Sequence, residues 1–290
     1  MHCSYIGCLR CLVFVMAFLS LPILASAQEV STPYSAQIFL EDTADIKWES
    51  ALVFTGVTIV GLYNWNWGSS NNFKTNPEGW FDSSTGSGGT DKLGHAYSSY
   101  AITNFLTESL IVQGRKPSQA ALSSALISQA IMLYVEVFDG YSVDHGWSRE
   151  DVTMNLLGSS LAYLRHAIPG IRDLVDYRME YLPSGYKGFR PLSDYAGQKF
   201  LLAFKLSGFE SLRETPLRYL ELQAGYYARG FTKAEKAEGV ERSRSGFVGV
   251  GLNVSALIFG QGEKSDSVWH RTGQFFIEHL QIPYTVIRSK

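Results

Sequence analysis

Past residue 11 the chain has no cysteine; Cys3, Cys8 and Cys11 are all it contains in 290 residues. A fold built on disulfide staples or thiolate metal ligands is excluded for everything after that point. Charge of one sign is also missing. There are 25 Lys and Arg against 27 Asp and Glu, so no basic field exists to hold nucleic acid. HExxH, G-x-S-x-G, a P-loop glycine motif and a dinucleotide fingerprint are absent, which removes the common zinc-protease, serine-hydrolase and nucleotide-binding plans. No internal repeat or extended low-complexity tract occurs.

What is present begins with a targeting segment. Arg10 is followed by the apolar run CLVFVMAFLSLPIL and then ASA. This is the order of a secretory signal, residues 1–27, with cleavage expected after Ala27. The run is short for a membrane span. Cys8 precedes the apolar core instead of following it, so a lipid-bearing cysteine is not expected there. All three cysteines leave with the signal, which suits an exported protein of the periplasm or outer membrane. Tyr (16), Phe (17) and Trp (6) are plentiful, as in a large core or a lipid interface.

Residues 28–45 are polar and are expected to be disordered. Residues 46–180 read as an apolar bundle of about four helices. The first is IKWESALVFTGVTIVGLY, 46–63. A loop rich in Gly, Asn, Ser and Trp follows, 64–90. Three helices come next, at about 91–113, 118–139 and 148–167, with Thr90 or Asp91 and Ser148 as caps and Gly114, Gly140 and Pro169-Gly170 as stops. The helix at 118–139 is apolar on most sides, so it is buried in protein or lipid. From 190 to 290 the pattern changes to partial period-2 alternation, in KFLLAFKLSGF, RYLELQAGYYARGF, SGFVGVGLNVSALIFG and IPYTVIR. TKAEKAEGVERSR reads as a hairpin loop between two of them. Four strands cannot close a barrel, so a sheet covering the bundle is expected. The fold class is α+β, helices first and an antiparallel β-rich region after.

The chemistry-bearing residues sit at helix ends. Asp91 and His95 share a face at i, i+4; Glu136 and Asp139 close the second helix; Asp151 and Asn155 open the third. Each has a plain reading. Asp91 can cap a helix, His95 can be a core histidine, and Ser148-x-x-Asp151 can be a capping box. Asp144, His145 and Glu150 read as solvated loop or first-turn residues. Glu136 and Asp139 are harder to dismiss. They face the negative end of the helix dipole on an apolar helix, where bare carboxylates cost several kcal/mol each, on the order of what buried ions cost generally. Lys92, a protonated His95 or a divalent cation would compensate. Asp91, His95, Glu136, Asp139 and Asp151 are the candidate metal ligands, for Zn, Mn or Fe.

D91-K92-L-G-H95, then E136-V-F-D139-G-Y-S, then W147-S148-x-x-D151-x-x-x-N155-x-x-G158 resembles the YfiM-like family of predicted periplasmic proteins, over about residues 46–170. A shorter part of the pattern is similar to the VanZ-like membrane family. The resemblance implies an envelope location and singles out Asp91, Lys92, His95, Glu136, Asp139, Ser148, Asp151 and Asn155. It supplies no reaction. SVDHGW departs from the pattern by adding Asp144 and His145; the latter reads as an extra ligand or a surface accident, with the accident preferred.

Two functions stay open. In one, the polar set is a structural network in an envelope-maintenance protein that meets membrane or envelope lipid. In the other, it is a metal-assisted hydrolase or transferase for a lipid-linked or cell-wall substrate. There His95 or Glu136 would be the general base, and Lys92 would stabilise negative charge. A third idea, carriage of a lipid or other hydrophobic ligand, rests on the apolar helices and on Trp65, Trp67, Trp80 and Phe81. No protein partner is indicated.

Overall fold

The computed structural model describes residues 34–185, 188–260 and 267–289. The expected signal and residues 28–33 lie outside them. Ala36–Lys290 forms one compact unit containing both the helices and the sheet.

Among the described residues five long helical segments come first: α1 (Ala36–Asp45), α2 (Lys47–Asn64), α3 (Thr90–Val112), α4 (Pro117–Asp139) and α5 (Arg149–Ala167). The expectation of disorder fails for α1. Its Asp42 is buried, accepting from Ser123 Oγ at 2.5 Å and pairing with Arg115 Nε at 3.0 Å. Those partners lie on or before α4, so a local reading of a polar segment could not see them. The caps explain the other boundaries. Ser148 Oγ accepts from the Asp151 backbone N–H, and Gly114 ends α3 with φ +89°. At the start of α3 the cap is Gly89, at φ +88°, rather than Thr90 or Asp91.

α3 and α5 cross in close contact. A Cβ at Gly158 would stand 1.9 Å from the Ala96 carbonyl oxygen, so only glycine fits there. Ser99 Oγ donates to the Asn155 carbonyl at the same crossing (2.8 Å). α4 closes the trio through Gln129, which donates to Asn155 O and Ser159 Oγ, both at 2.7 Å. Small polar residues thus knit three apolar helices at short range, as their spacing implied.

Five strands follow: β1 (Val175–Tyr181), β2 (Gln198–Lys205), β3 (Leu220–Arg229), β4 (Ser243–Leu252) and β5 (Val286–Arg288). They form an antiparallel meander in chain order. The hairpin loop expected at 232–244 joins β3 to β4. A further helix, α6 (Val268–His279), precedes β5. The sheet covers the bundle through β1 and β2: Tyr177, Met179 and Phe200 share a core with Ala96, Tyr97 and Tyr100 of α3 and Met154 and Ala162 of α5. β1 lies in the stretch expected to be helical. Its other face carries Asp176, Arg178 and Glu180, all buried. Arg178 pairs with Asp176 (2.6 Å) and Glu221 (2.8 Å), and Arg165 from α5 reaches Asp176 (2.6 Å). Arg288 on β5 reaches Glu180 on β1 (3.0 Å), so the sheet curls until side chains of its first and last strands meet.

Candidate functional site

The ends of three helices converge where the sequence placed them. α3 supplies Asp91, Lys92 and His95 from its first turns, α4 supplies Glu136 and Asp139 from its last, and α5 supplies Asp151 and Asn155 from its first. The short α4–α5 connector forces the second and third ends together. The loop 64–90 is zipped against that connector: Lys74 N donates to Gly140 O, Asn76 N to Trp147 O and Trp147 N to Lys74 O, at 2.9–3.0 Å. This lays Glu78 over Lys92.

Lys92 is buried among three carboxylates, 2.5 Å from Glu78, 2.6 Å from Asp151 and 3.2 Å from Asp91. The His95 imidazole bridges two groups of acids. Its Nδ1 lies 3.2 Å from Glu136 Oε1 and 3.3 Å from Asn155 Oδ1. Its Nε2 faces Asp91 Oδ1 at 3.9 Å and Asp151 Oδ1 at 4.0 Å. Asn155 also donates to Glu136 Oε1 (3.3 Å), which fixes the carboxylate behind the ring. Tyr195, in the turn before β2, donates to Asp91 Oδ1 at 2.6 Å. Trp67 Nε1 donates to Asp139 Oδ1 at 2.7 Å.

Four carboxylates (Glu78, Asp91, Glu136, Asp151) therefore meet one lysine and one histidine, and a fifth, Asp139, lies beside them on Trp67. The protonation balance shows the strain of that excess. Burial, with Asp91 nearby, raises Glu78 to about 8. Burial raises Asp139 to about 7, against the Trp67 hydrogen bond and the charge of His95. Asp151 is raised by burial, with His95 opposing. Asp91 goes the other way: burial works against its charge, but His95, Lys92 and the Tyr195 hydroxyl outweigh burial. Burial opposes charge on His95 too, yet Asp151, Glu136 and Asp91 hold it well above its ordinary value.

Asp91, His95 and Asp151 can each offer one atom to a common ion, the three atoms lying within 4.8 Å of one another. Ligand atoms about 2.1 Å from a Zn-type ion stand roughly 3–3.5 Å apart, so His95 Nε2, at 3.9 and 4.0 Å from the Asp91 and Asp151 oxygens, would move in by about 0.5 Å towards each. Of the other expected ligands, Glu136 lies behind the imidazole on Nδ1, and Asp139 lies beside the trio, tied to Trp67.

Asp91, His95, Asp139 and Asp151 line a cavity of about 430 Å³ whose remaining wall is mostly apolar, including Val53, Val57 and Val60 of α2 with Ile102 and Met132, beside Ser98 and Gln198. His145 also lines it, with its pKa lowered by burial, so the reading of this residue as a surface accident is corrected. Glu150 is corrected as well. It is buried, accepting from Ser148 Oγ and Arg149 Nε. Glu78 and Tyr195 were not found from sequence. They lie in irregular segments, where spacing carries no information about what they fold onto.

Comparison with known proteins bears on the middle of the chain. Residues 77–167, which hold every cluster residue named above except Trp67 and Tyr195, match the family DUF2279, described as a predicted periplasmic lipoprotein. The exported, periplasmic location expected from the N-terminus agrees with that description. No curated protein and no solved structure matches.

Proposed function

We propose that this is a divalent-metal centre for hydrolysis or group transfer on a lipid-linked substrate of the envelope. The observation that carries the reading is the buried excess of carboxylates around His95 at the polar end of an apolar cavity. A structural network accounts for Lys92 and its three partners, but it leaves the cavity and the remaining negative charge without a purpose. Asp91, His95 Nε2 and Asp151 would hold the ion, which would polarise the scissile group and acidify a bound water. Glu136 and Asn155 orient the imidazole from behind, the carboxylate–histidine–metal arrangement that raises ligand basicity. Asp139, poised near neutrality on the cavity wall, is the group suited to take a proton from water and return it to the leaving oxygen.

The lipid side of the substrate is supported by α2. Only Gly61 of its residues is buried; Trp48, Leu52, Ile59, Leu62 and Tyr63 are exposed, with the two large aromatics near opposite ends. At 1.5 Å per residue the helix is about 27 Å long, close to a bilayer's hydrocarbon thickness. Among the described residues, α4 is the one helix long and apolar enough to cross a membrane, and half of its most apolar stretch is buried in the protein. An apolar helix that walls the cavity and shows its outer side to the surroundings suits a tail drawn from a lipid surface.

The test is metal titration. Purified protein stripped with chelator is expected to bind one equivalent of Zn²⁺ or Mn²⁺ by calorimetry. His95→Ala and Asp151→Asn should lose that binding while keeping the wild-type circular dichroism spectrum. Folded wild-type protein that takes up no divalent ion ends the proposal.

A further inference from the structure

A second cavity, of about 360 Å³, lies against the same carboxylate wall. Glu78, Asp91, His145 and Tyr195 line both spaces, so the candidate metal centre stands between two chambers. The chambers differ in chemistry. Away from the acids, the first is walled mainly by aliphatic and aromatic side chains; the second adds Asn76, Trp80, Ser84, Thr85 and Ser87 to the shared acids and Lys92. Each volume falls in the range of about 300–1,000 Å³ typical of small-molecule sites.

We infer that the second chamber receives the neutral saccharide head group of an amphiphile whose tail occupies the first. This rests on the reading of the cavity as a lipid-substrate site and names the head group. The lining is what a polyol needs. Ser87 Oγ accepts from the Asp91 backbone N–H and keeps its own proton for donation. Asn76 spends its amide NH₂ on Glu78, leaving its carbonyl oxygen to accept. Asp91 offers a carboxylate and Glu78 a carboxyl group for sugar hydroxyls. Trp80, 45 % exposed, gives a flat indole against which the apolar face of a sugar ring can lie.

An anionic head group fits less well. Among the described residues Lys92 is the sole lysine or arginine lining the chamber, and its ammonium already faces Glu78, Asp91 and Asp151. Any further negative charge would join an acidic wall. The bond between head and tail would then lie beside His95, at the junction of the two spaces.

The experiment uses the full exported protein and three probes of equal tail length: n-octyl β-D-glucoside below its micelle concentration, octyl phosphate and 1-octanol. Calorimetry is expected to rank octyl glucoside at least tenfold tighter than the other two. Trp80→Ala should weaken octyl glucoside about tenfold and leave octanol unchanged. Octyl phosphate binding as tightly as the glucoside, or a Trp80→Ala variant with unaltered glucoside affinity, overturns the inference. The metal titration reads the other proposal separately. A bound ion without glucoside selectivity refutes the head-group assignment alone, and glucoside selectivity without an ion refutes the metal centre alone.

Discussion

Asp139→Asn isolates the electrostatic argument from any assumption about substrate. The amide is nearly isosteric, and its oxygen can still accept from Trp67 Nε1. What it removes is a buried acid whose pKa stands at about 7 against an ordinary 3.8. A group raised on folding contributes stability that is complete below its unfolded pKa and lost as pH rises through its folded one. The window here runs from about pH 4 to pH 7–8. The gap of about 3 units is worth roughly 4 kcal/mol at 1.36 kcal/mol per unit, of which roughly 2–3 kcal/mol falls between pH 5 and pH 8. Glu78, raised to about 8, has the same sign and stays in both proteins, so it cancels in the comparison. The assay is urea unfolding in chelator at pH 5 and pH 8. Wild type should lose more stability than Asp139→Asn across that interval by about the stated amount. Saturating divalent ion should shrink the difference, since a cation supplies the compensation that ionisation lacks. Parallel pH profiles for the two proteins in chelator would mean that Asp139 ionises freely, and the reasoning from buried charge would fail.

Lys92→Met strands Glu78, Asp91 and Asp151 without their shared ammonium, and should cost about 3–5 kcal/mol in urea unfolding of chelator-treated protein. Gly158→Ala drives a methyl group to 1.9 Å from the Ala96 carbonyl. The α3–α5 crossing must open, at about 1–3 kcal/mol, seen as a lower thermal midpoint. An unchanged midpoint in either variant would contradict the packing described.

The helices α3, α4 and α5 were legible because their ends carry local chemistry. Ser148 caps α5 through its own side chain, and Gly114 supplies the left-handed residue that ends α3. The core of the site was legible for the same reason: i, i+4 spacing puts Asp91 beside His95, and a short connector brings Asp151 to Glu136 and Asp139. Sequence reasoning fell short where a partner arrives from a distant irregular segment. Glu78 and Tyr195 are two of these, and Ser123 and Arg115 holding Asp42 are another pair. β1 escaped for a different reason. Asp176, Arg178 and Glu180 alternate with Tyr177, Met179 and Tyr181, but both faces are buried. The polar face that should mark solvent is instead matched by charges on α5, β2, β3 and β5.

Two of the buried ionic sets among the described residues differ in a way that separates architecture from chemistry. Beneath the sheet, Asp176, Glu221 and Glu278 meet Arg165, Arg178 and Lys205, with Arg172 joining Glu278 to Glu108. Acids and bases there are equal in number, four and four, and none of the eight lines either cavity described above. A set balanced in that way can close on itself, and its task is to fix how α5, α6 and the strands meet. At the helix ends five acids meet two cationic side chains, and four of the five, Glu78, Asp91, Asp139 and Asp151, line the apolar cavity. Burial of unpaired carboxylates is costly on folding. A chain that already neutralises such charges side by side elsewhere has the means to do so here. This set is left short of cationic side chains, so that Glu78 and Asp139 keep their protons to near-neutral pH while an imidazole nitrogen points at two further acids, an arrangement that a cationic ligand would complete.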